Sequence, residues 1–420
     1  MVVESINISA GAILRAYKRL KDVAPPTPLQ YSAVLSERYN CAVYLKREDL
    51  QVVRSYKIRG AYNKISSLDK KTLSKGVVCA SAGNHAQGFA LSCALLKVNG
   101  TVYMPATTTK QKTSQVKMFG RAYVKIELVG DTFDDAYLEA IKDSEQNKKA
   151  FIHPFNDVKI IEGQGTVGHE IYQDSPEKPF DYLFIPVGGG GLSAGVGSYF
   201  KEVSPSTKLI GLEPWGAPAM KTSIDNGKNT ELKTIDKFVD GAAVKKVGDI
   251  NFEICKEVLD EVRLIPEGKI CSTILQLYNE AAIVVEPAGA LSIAALDFYK
   301  EKIKGKNICC IVSGGNNDIT RMAEITERSL LYERLRHYFI IRFPQRAGAL
   351  REFLTDILGP NDDIFFFEYK KKTSRSAGPA VIGIELKTPD DYDPLIERMN
   401  THQIHYEYLN ENDDLFEYLV

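Results

Sequence analysis

Apolar residues recur at Ile13, Ala16, Tyr17 and Leu20, the spacing of one helix face, and predict a helix over residues 9–23. The stretch APPTPL ends it. From residue 42 the pattern changes to short apolar runs separated by helix-period segments. The runs at 42–46, 76–81, 101–105, 123–129, 181–187, 208–213 and 307–313 predict strands. Several are apolar at successive positions, as strands buried on both faces are. Between them, 84–97, 110–119 and 132–147 carry helical periodicity. Strand and helix in alternation predict an α/β fold built on parallel sheet.

Beyond residue 330 a new pattern begins. Strand 337–343, helix 346–358, strands 363–371 and 379–387, helix 390–400 and strand 403–409 give the order β-α-β-β-α-β. That is the ferredoxin-like order of an α+β domain. The reading is therefore a large domain over 1–335 and a small one over 336–420.

Three predicted strands end in glycine-bearing loops: SAGNHAQG (81–88), VGGGGLSAG (187–195) and SGGNND (313–318). Ligands of open α/β sheets bind beyond the carboxyl ends of the strands. Gly188, Gly189, Gly190 and Gly191 stand before a helix that starts near Leu192. Their backbone N–H groups can converge on a phosphate, to which the helix N-terminus adds partial positive charge. Gly189-x-Gly191-x-x-Ala194 also satisfies a dinucleotide fingerprint, with Glu213 about where a ribose-binding acid belongs. Ser81, Gly83 and Asn84 can donate to an anion or a polar ring substituent, or cap the next helix. His85 reads as a base or as a core histidine. Ser313 can reach a heteroaromatic nitrogen or merely serve the turn.

Composition narrows the partners. The 53 basic and 54 acidic residues mix evenly for a net charge of −1, which excludes a nucleic-acid or anionic-membrane footprint. No uncharged apolar run approaches the ~20 residues that span a bilayer, and the N-terminal 22 residues do not read as a signal peptide. Seven scattered cysteines without CxxC suit a reduced, cytoplasmic protein, and six histidines show no metal spacing.

Lys57, in VRSYKIRGAY, lies between Arg54 and Arg59. A free lysine is protonated at pH 7, its pKa being ~10.4. As a base or nucleophile it must be desolvated or crowded by other cations. Combined with a phosphate loop, a ring-edge loop and a serine, it completes the parts needed to hold pyridoxal phosphate.

LKREDLQ (45–51), SYKIRGA (55–61), SAGNHAQG, VGGGGL, EPAGA (286–290) and SGGNND, in this order, resemble the serine/threonine dehydratases of the fold-type-II pyridoxal-phosphate enzymes. FPQRAGALREF resembles the ACT-like regulatory domain of biosynthetic members of that group. The resemblance implies two parallel-sheet subdomains with the cofactor between them, the second inserted over about 51–155. It implies Lys57 as covalent anchor and base, and Asn84 on the ring hydroxyl. Backbone N–H groups of Gly188, Gly189, Gly190, Gly191 and Leu192 would hold the phosphate, and Ser313 would face the ring nitrogen. Ser81, Ala82, Gly83, Asn84 and His85 would hold the substrate carboxylate. The implied substrate is L-threonine, with L-serine as alternative, and the implied effectors are isoleucine and valine. ACT-like domains bind amino acids, commonly where two of them meet, so a homo-oligomer, a tetramer, is expected. Some relatives hold a divalent ion near Glu213. Here Ala219 stands where an aspartate would be needed, and no metal is expected. A nicotinamide dehydrogenase and a catalytically dead amino-acid sensor are the competing readings. The first gives Lys57 and Ser313 no role; the second leaves the whole set unexplained.

Overall fold

The computed structural model describes residues 8–176, 178–369 and 377–412. The chain forms two compact units, Met1–Ile319 and Thr320–Val420.

The first unit holds two sheets. One contains β1 (Leu29–Tyr31), β2 (Ala42–Arg47), β7 (Tyr182–Pro186), β8 (Lys208–Pro214), β9 (Glu261–Ile265) and β10 (Asn307–Val312), in the order β1-β2-β10-β7-β8-β9. All its pairings are parallel except β1 with β2. The other contains β3 (Val77–Ala80), β4 (Gly100–Met104), β5 (Val124–Leu128) and β6 (Ala150–Phe151), in the order β5-β4-β3-β6, all parallel. Its strands fall between β2 and β7 in the chain, so the second sheet is an insertion into the first. Each sheet has its own apolar core: Leu183, Ile185, Leu209 and Ile311 in one, Val77, Cys79, Phe89 and Val102 in the other. The parallel sheets expected from the doubly apolar runs are present, and most boundaries shift by a residue or two. Short strands β1, β6 and β9 were not anticipated: β1 is an edge, and β6 has two residues.

In the second unit, β11 (Arg336–Pro344), the helix Ala349–Asp356, β12 (Asp363–Tyr369), β13 (Ala377–Glu385), the helix Tyr392–Thr401 and β14 (Tyr406–Tyr408) follow the β-α-β-β-α-β order. Its sheet, β12-β13-β11-β14, is antiparallel throughout. The end of the expected strand 363–371 lies outside the described residues. The helix Met322–Tyr332, which the change of texture leaves with the large domain, belongs to this unit. Its Glu327 pairs with Arg336 and accepts a 2.8 Å hydrogen bond from the Tyr338 hydroxyl.

Candidate active site

Strands β7 and β10 are parallel neighbours, so the tetraglycine loop and the Ser313 loop leave the same edge of the sheet. Gly190 has φ +89°, a conformation that favours glycine, and opens the helix Gly191–Val203. A side chain at Gly189 would overlap the Phe155 ring, and one at Gly188 would press on the Gly241 carbonyl. Packing thus accounts for part of the glycine run. It does not account for the helix start, which no side chain caps. The first-turn N–H groups there have no intrahelical carbonyl, so the bend is free to receive an anion.

Lys57 meets the Ser313 loop through the backbone. Ser55 forms a β-bridge with Gly314, the Tyr56 N–H donates to the Ser313 carbonyl at 3.3 Å, and Lys57 opens the helix Lys57–Ser66. The ammonium is half-buried and donates to the Pro154 carbonyl at 3.3 Å. Burial pulls its pKa down to about 8, with the Glu286 carboxyl acting the other way. The helix N-terminus on which it sits adds to the lowering. Neighbouring cations are not the cause: Arg54 is exposed, and Arg59 is buried between Glu48 and Glu170. In competitive acylation of the cofactor-free chain, Lys57 is expected to gain reactivity as pH rises through about 8. Exposed lysines should follow only near ~10.4.

The segment Ile152 to Asp157, which returns the chain from the inserted sheet, joins these parts. Pro154 receives Lys57, and Phe155 packs on Gly189 and Gly191. Asn251 Nδ2 donates to the Phe155 and Gly189 carbonyls at 3.2 and 2.6 Å. His153 Nδ1 accepts from the N–H groups of Phe155 and Asn156, and burial pushes its pKa down to about 4. No motif marks this segment; its importance comes from where the chain crosses between the sheets.

The loop after β3 does not cap its helix with a side chain. The N-cap of Asn84–Leu96 is Gly83, without a side-chain hydrogen bond. The Ser81 hydroxyl accepts from the Gly83 N–H at 3.3 Å. The Asn84 amide is engaged elsewhere: Nδ2 donates to Glu286 at 2.6 Å, and Oδ1 accepts from Asn316 at 2.7 Å. His85 is a buried, neutral core histidine. Its Nε2 donates to the Ile152 carbonyl at 3.0 Å, and burial, with the Lys57 charge, pushes its pKa down to about 3. Glu286 joins the set unassigned by the sequence reading. Burial, reinforced by Asp240, raises its carboxyl to about 8.

Glu213 serves the fold. It is fully buried, accepts from the Met220 and Lys221 N–H groups at 2.7 and 2.8 Å, and is raised to about 8 by burial. A carboxyl so engaged is not placed to read a ribose, and the dinucleotide reading of Gly189-x-Gly191-x-x-Ala194 loses its acid. Among the described residues, no group of three His, Cys, Asp or Glu could hold a metal.

An uncapped glycine-lined helix start, a half-buried amine of low basicity and an unpartnered buried Ser55 hydroxyl fit a phosphorylated aldehyde. Residues 20–314 match the family described as pyridoxal-phosphate dependent enzyme, and residues 327–419 match the C-terminal regulatory domain of threonine dehydratase. The L-threonine dehydratase biosynthetic IlvA of Halalkalibacterium halodurans is 60% identical over 414 residues, 99% of this chain and 100% of that one. The chain belongs to the threonine dehydratase family. Another member, the L-threonine dehydratase biosynthetic IlvA of Bacillus subtilis, is 56% identical over 100% of this chain and 99% of its own. Among solved structures, the processed form of threonine deaminase isoform 2 from Solanum lycopersicum matches with a TM-score of 0.72 and 39% identity, covering 78% of this chain and 97% of that one. As in the rest of the family, the cofactor is pyridoxal phosphate.

Proposed function

We propose that the protein converts L-threonine to 2-oxobutanoate and ammonia as the first step of isoleucine synthesis. The reading rests on the two full-length relatives named for this activity. In the site itself, it is carried by the meeting of Lys57, the tetraglycine bend and the Ser313 loop around Pro154 and Phe155. Bound pyridoxal phosphate supplies an aldehyde for the substrate amine and a conjugated ring that takes up charge from Cα.

The residues divide the remaining work. Backbone N–H groups of Gly188, Gly189, Gly190, Gly191 and Leu192 hold the phosphate. Asn84 holds the ring oxygen, and Ser313 faces the ring nitrogen. The loop Ser81, Ala82, Gly83, Asn84 and His85 receives the substrate carboxylate at its uncapped helix start. Lys57 anchors the cofactor and takes the Cα proton. With a pKa of about 8, the free amine is neutral in roughly a tenth of molecules at pH 7, far more than an exposed lysine. The β-hydroxyl leaves as water, and hydrolysis returns that water, so threonine becomes the oxo acid and ammonia with no net change in water. Equimolar ammonia and 2-oxobutanoate from L-threonine test the reading; their absence from cofactor-loaded protein overturns it.

Regulation is assigned to the second unit, with isoleucine as inhibitor and valine opposing it. This unit carries a cavity of about 220 Å³ whose lining includes the apolar Ile341, Phe353 and Ile357 and the charged Arg346, Glu352 and Asp356. Arg346 and Glu352 form a two-pronged ion pair at 2.7 and 2.5 Å. An amino acid can take the same guanidinium with its carboxylate and offer its ammonium to Glu352 or Asp356. In R346A the isoleucine concentration for half-inhibition should rise about tenfold or more, with uninhibited turnover retained. Unchanged inhibition would move the effector elsewhere. The protein is further read as a cytoplasmic homotetramer. Seven free cysteines accord with a reducing compartment.

A further inference from the structure

We propose that Asn316 is a positioning residue that fixes which end of the Asn84 amide faces the cofactor. The inference rests on the assignment of Asn84 to the cofactor made above.

The argument starts from a group with no choice. The Val53 backbone carbonyl can only accept, and Asn316 donates its Nδ2 to it at 2.9 Å. The same Nδ2 donates to Asn84 at 2.7 Å, so the end of Asn84 that meets it is the oxygen. The Asn84 nitrogen must then lie on the other side, where it donates to Glu286 Oε1 at 2.6 Å. An amide nitrogen carries two N–H groups. One goes to Glu286, and the second is left for the site. Rotating Asn84 by half a turn would set its nitrogen against that of Asn316 and its oxygen against the Glu286 carboxyl. The contact with Asn316 would then set donor against donor.

Glu286 alone does not fix the sense. Its carboxyl, raised to about 8, exists in protonated and ionised forms near neutral pH and can accept or donate. Asn316, anchored on a backbone carbonyl, has a single sense. Its neighbours leave room for the arrangement: a side chain at Gly314 would overlap Glu286 Oε1. The groups that face Glu286 from other elements are Lys57, Asn84, Lys112 and Asp240, the last two forming an ion pair at 2.9 Å.

The chain also spans the two sheets. Asn84 follows β3 of the inserted sheet and Val53 lies in the stretch that leads into it, whereas Glu286 and Asn316 lie in segments that follow β9 and β10 of the larger sheet. Asn316 therefore ties the orientation of Asn84 to the approach of one sheet to the other.

The test is pyridoxal-phosphate affinity of the cofactor-free, full-length chain, read by the absorption of the bound cofactor, for N84A, N316A and the double variant. N316A is expected to weaken binding about tenfold, the order of one misdirected buried hydrogen bond. The double variant should bind within about threefold of N84A, because without the Asn84 amide Asn316 has nothing to orient. Wild-type affinity in N316A, or losses that multiply in the double variant, would overturn the proposal. If N316A does not fold, N316D makes the same test; its carboxylate cannot donate to Asn84, and a loss at least as large is expected. Unchanged affinity in N84A would instead strike the assignment of Asn84 to the cofactor, an outcome distinct from failure of N316A alone.

Discussion

Lys57→Ala is expected to abolish threonine turnover, with a loss of at least ~10³-fold in kcat. In the proposed assignment, two functions go together in this substitution. One is a covalent anchor for the cofactor; the other is a base whose removal by itself typically costs ~10²–10⁴-fold. The structure makes Lys57 suited to the second task, because burial brings its pKa to about 8 while the Pro154 carbonyl holds the amine in place. The phosphate cradle does not involve its side chain, so the variant should still bind pyridoxal phosphate, but reversibly. Gel filtration should strip the cofactor from Lys57→Ala and leave it on the wild type. Borohydride should fix the cofactor to the wild type alone. Turnover within tenfold of wild type would remove Lys57 from the reaction. Lys57→Arg separates charge from chemistry: it keeps a cation beside Glu286 but offers no neutral amine, and it should be as inactive as the alanine variant.

Much of this architecture was legible because parallel strands buried on both faces leave apolar runs that few other elements leave. β2, β3, β4, β7, β8 and β10 were visible in that way, whereas β5 is a half-exposed edge that showed only through its run of strand-forming residues, and the glycine loops after β3, β7 and β10 pointed to the site. The ferredoxin-like order of the second unit was visible through its alternation of periods. What stayed hidden depends on pairs of residues far apart in the chain. The segment Ile152 to Asp157 has no composition to mark it; it matters because Phe155 lies under the glycines and Pro154 meets Lys57. Glu286 sits in a motif that was noticed, EPAGA, but a carboxylate's role follows from burial and from facing Asn84, neither of which a sequence displays. Arg59 was weighed as a neighbour of Lys57. The helix turns it the other way, since two positions along a helix point to different faces.

That turn leads to the substitution expected to cost most in stability. Arg59 has no solvent exposure and divides its guanidinium between two carboxylates, meeting Glu48 through Nε and Nη2 at 2.8 Å and Glu170 through Nη1 and Nη2 at 2.6 and 2.8 Å. Lys46, also fully buried, bonds Glu170 at 2.6 Å, and the Thr27 hydroxyl donates to Glu48 at 2.5 Å. Two cations and two carboxylates balance, and the cluster joins β2, the helix Lys57–Ser66 and the helix Val158–Gln173. Arg59→Leu leaves one buried cation with two buried carboxylates. Breaking a buried pair on one side costs ~3–5 kcal/mol. The loss should appear as a lower denaturation midpoint of the cofactor-loaded protein, and Lys57 should be displaced with it. The effect also carries a pH signature. Burial alone would raise Glu48, but Arg59, aided by Lys46 and Thr27, more than offsets it and holds the carboxyl below its ordinary value. In the wild type this contributes stability at neutral pH that is lost as pH falls through the acid range. In Arg59→Leu the burial effect is left without its main counterweight, so Glu48 should rise above its unfolded value and favour the folded state at acid pH. The gap between the two proteins should therefore be widest near neutrality and narrow on acidification. A gap independent of pH would mean that Arg59 acts through packing alone. Arg59→Lys, which keeps the charge but cannot bridge both carboxylates, should fall between the two.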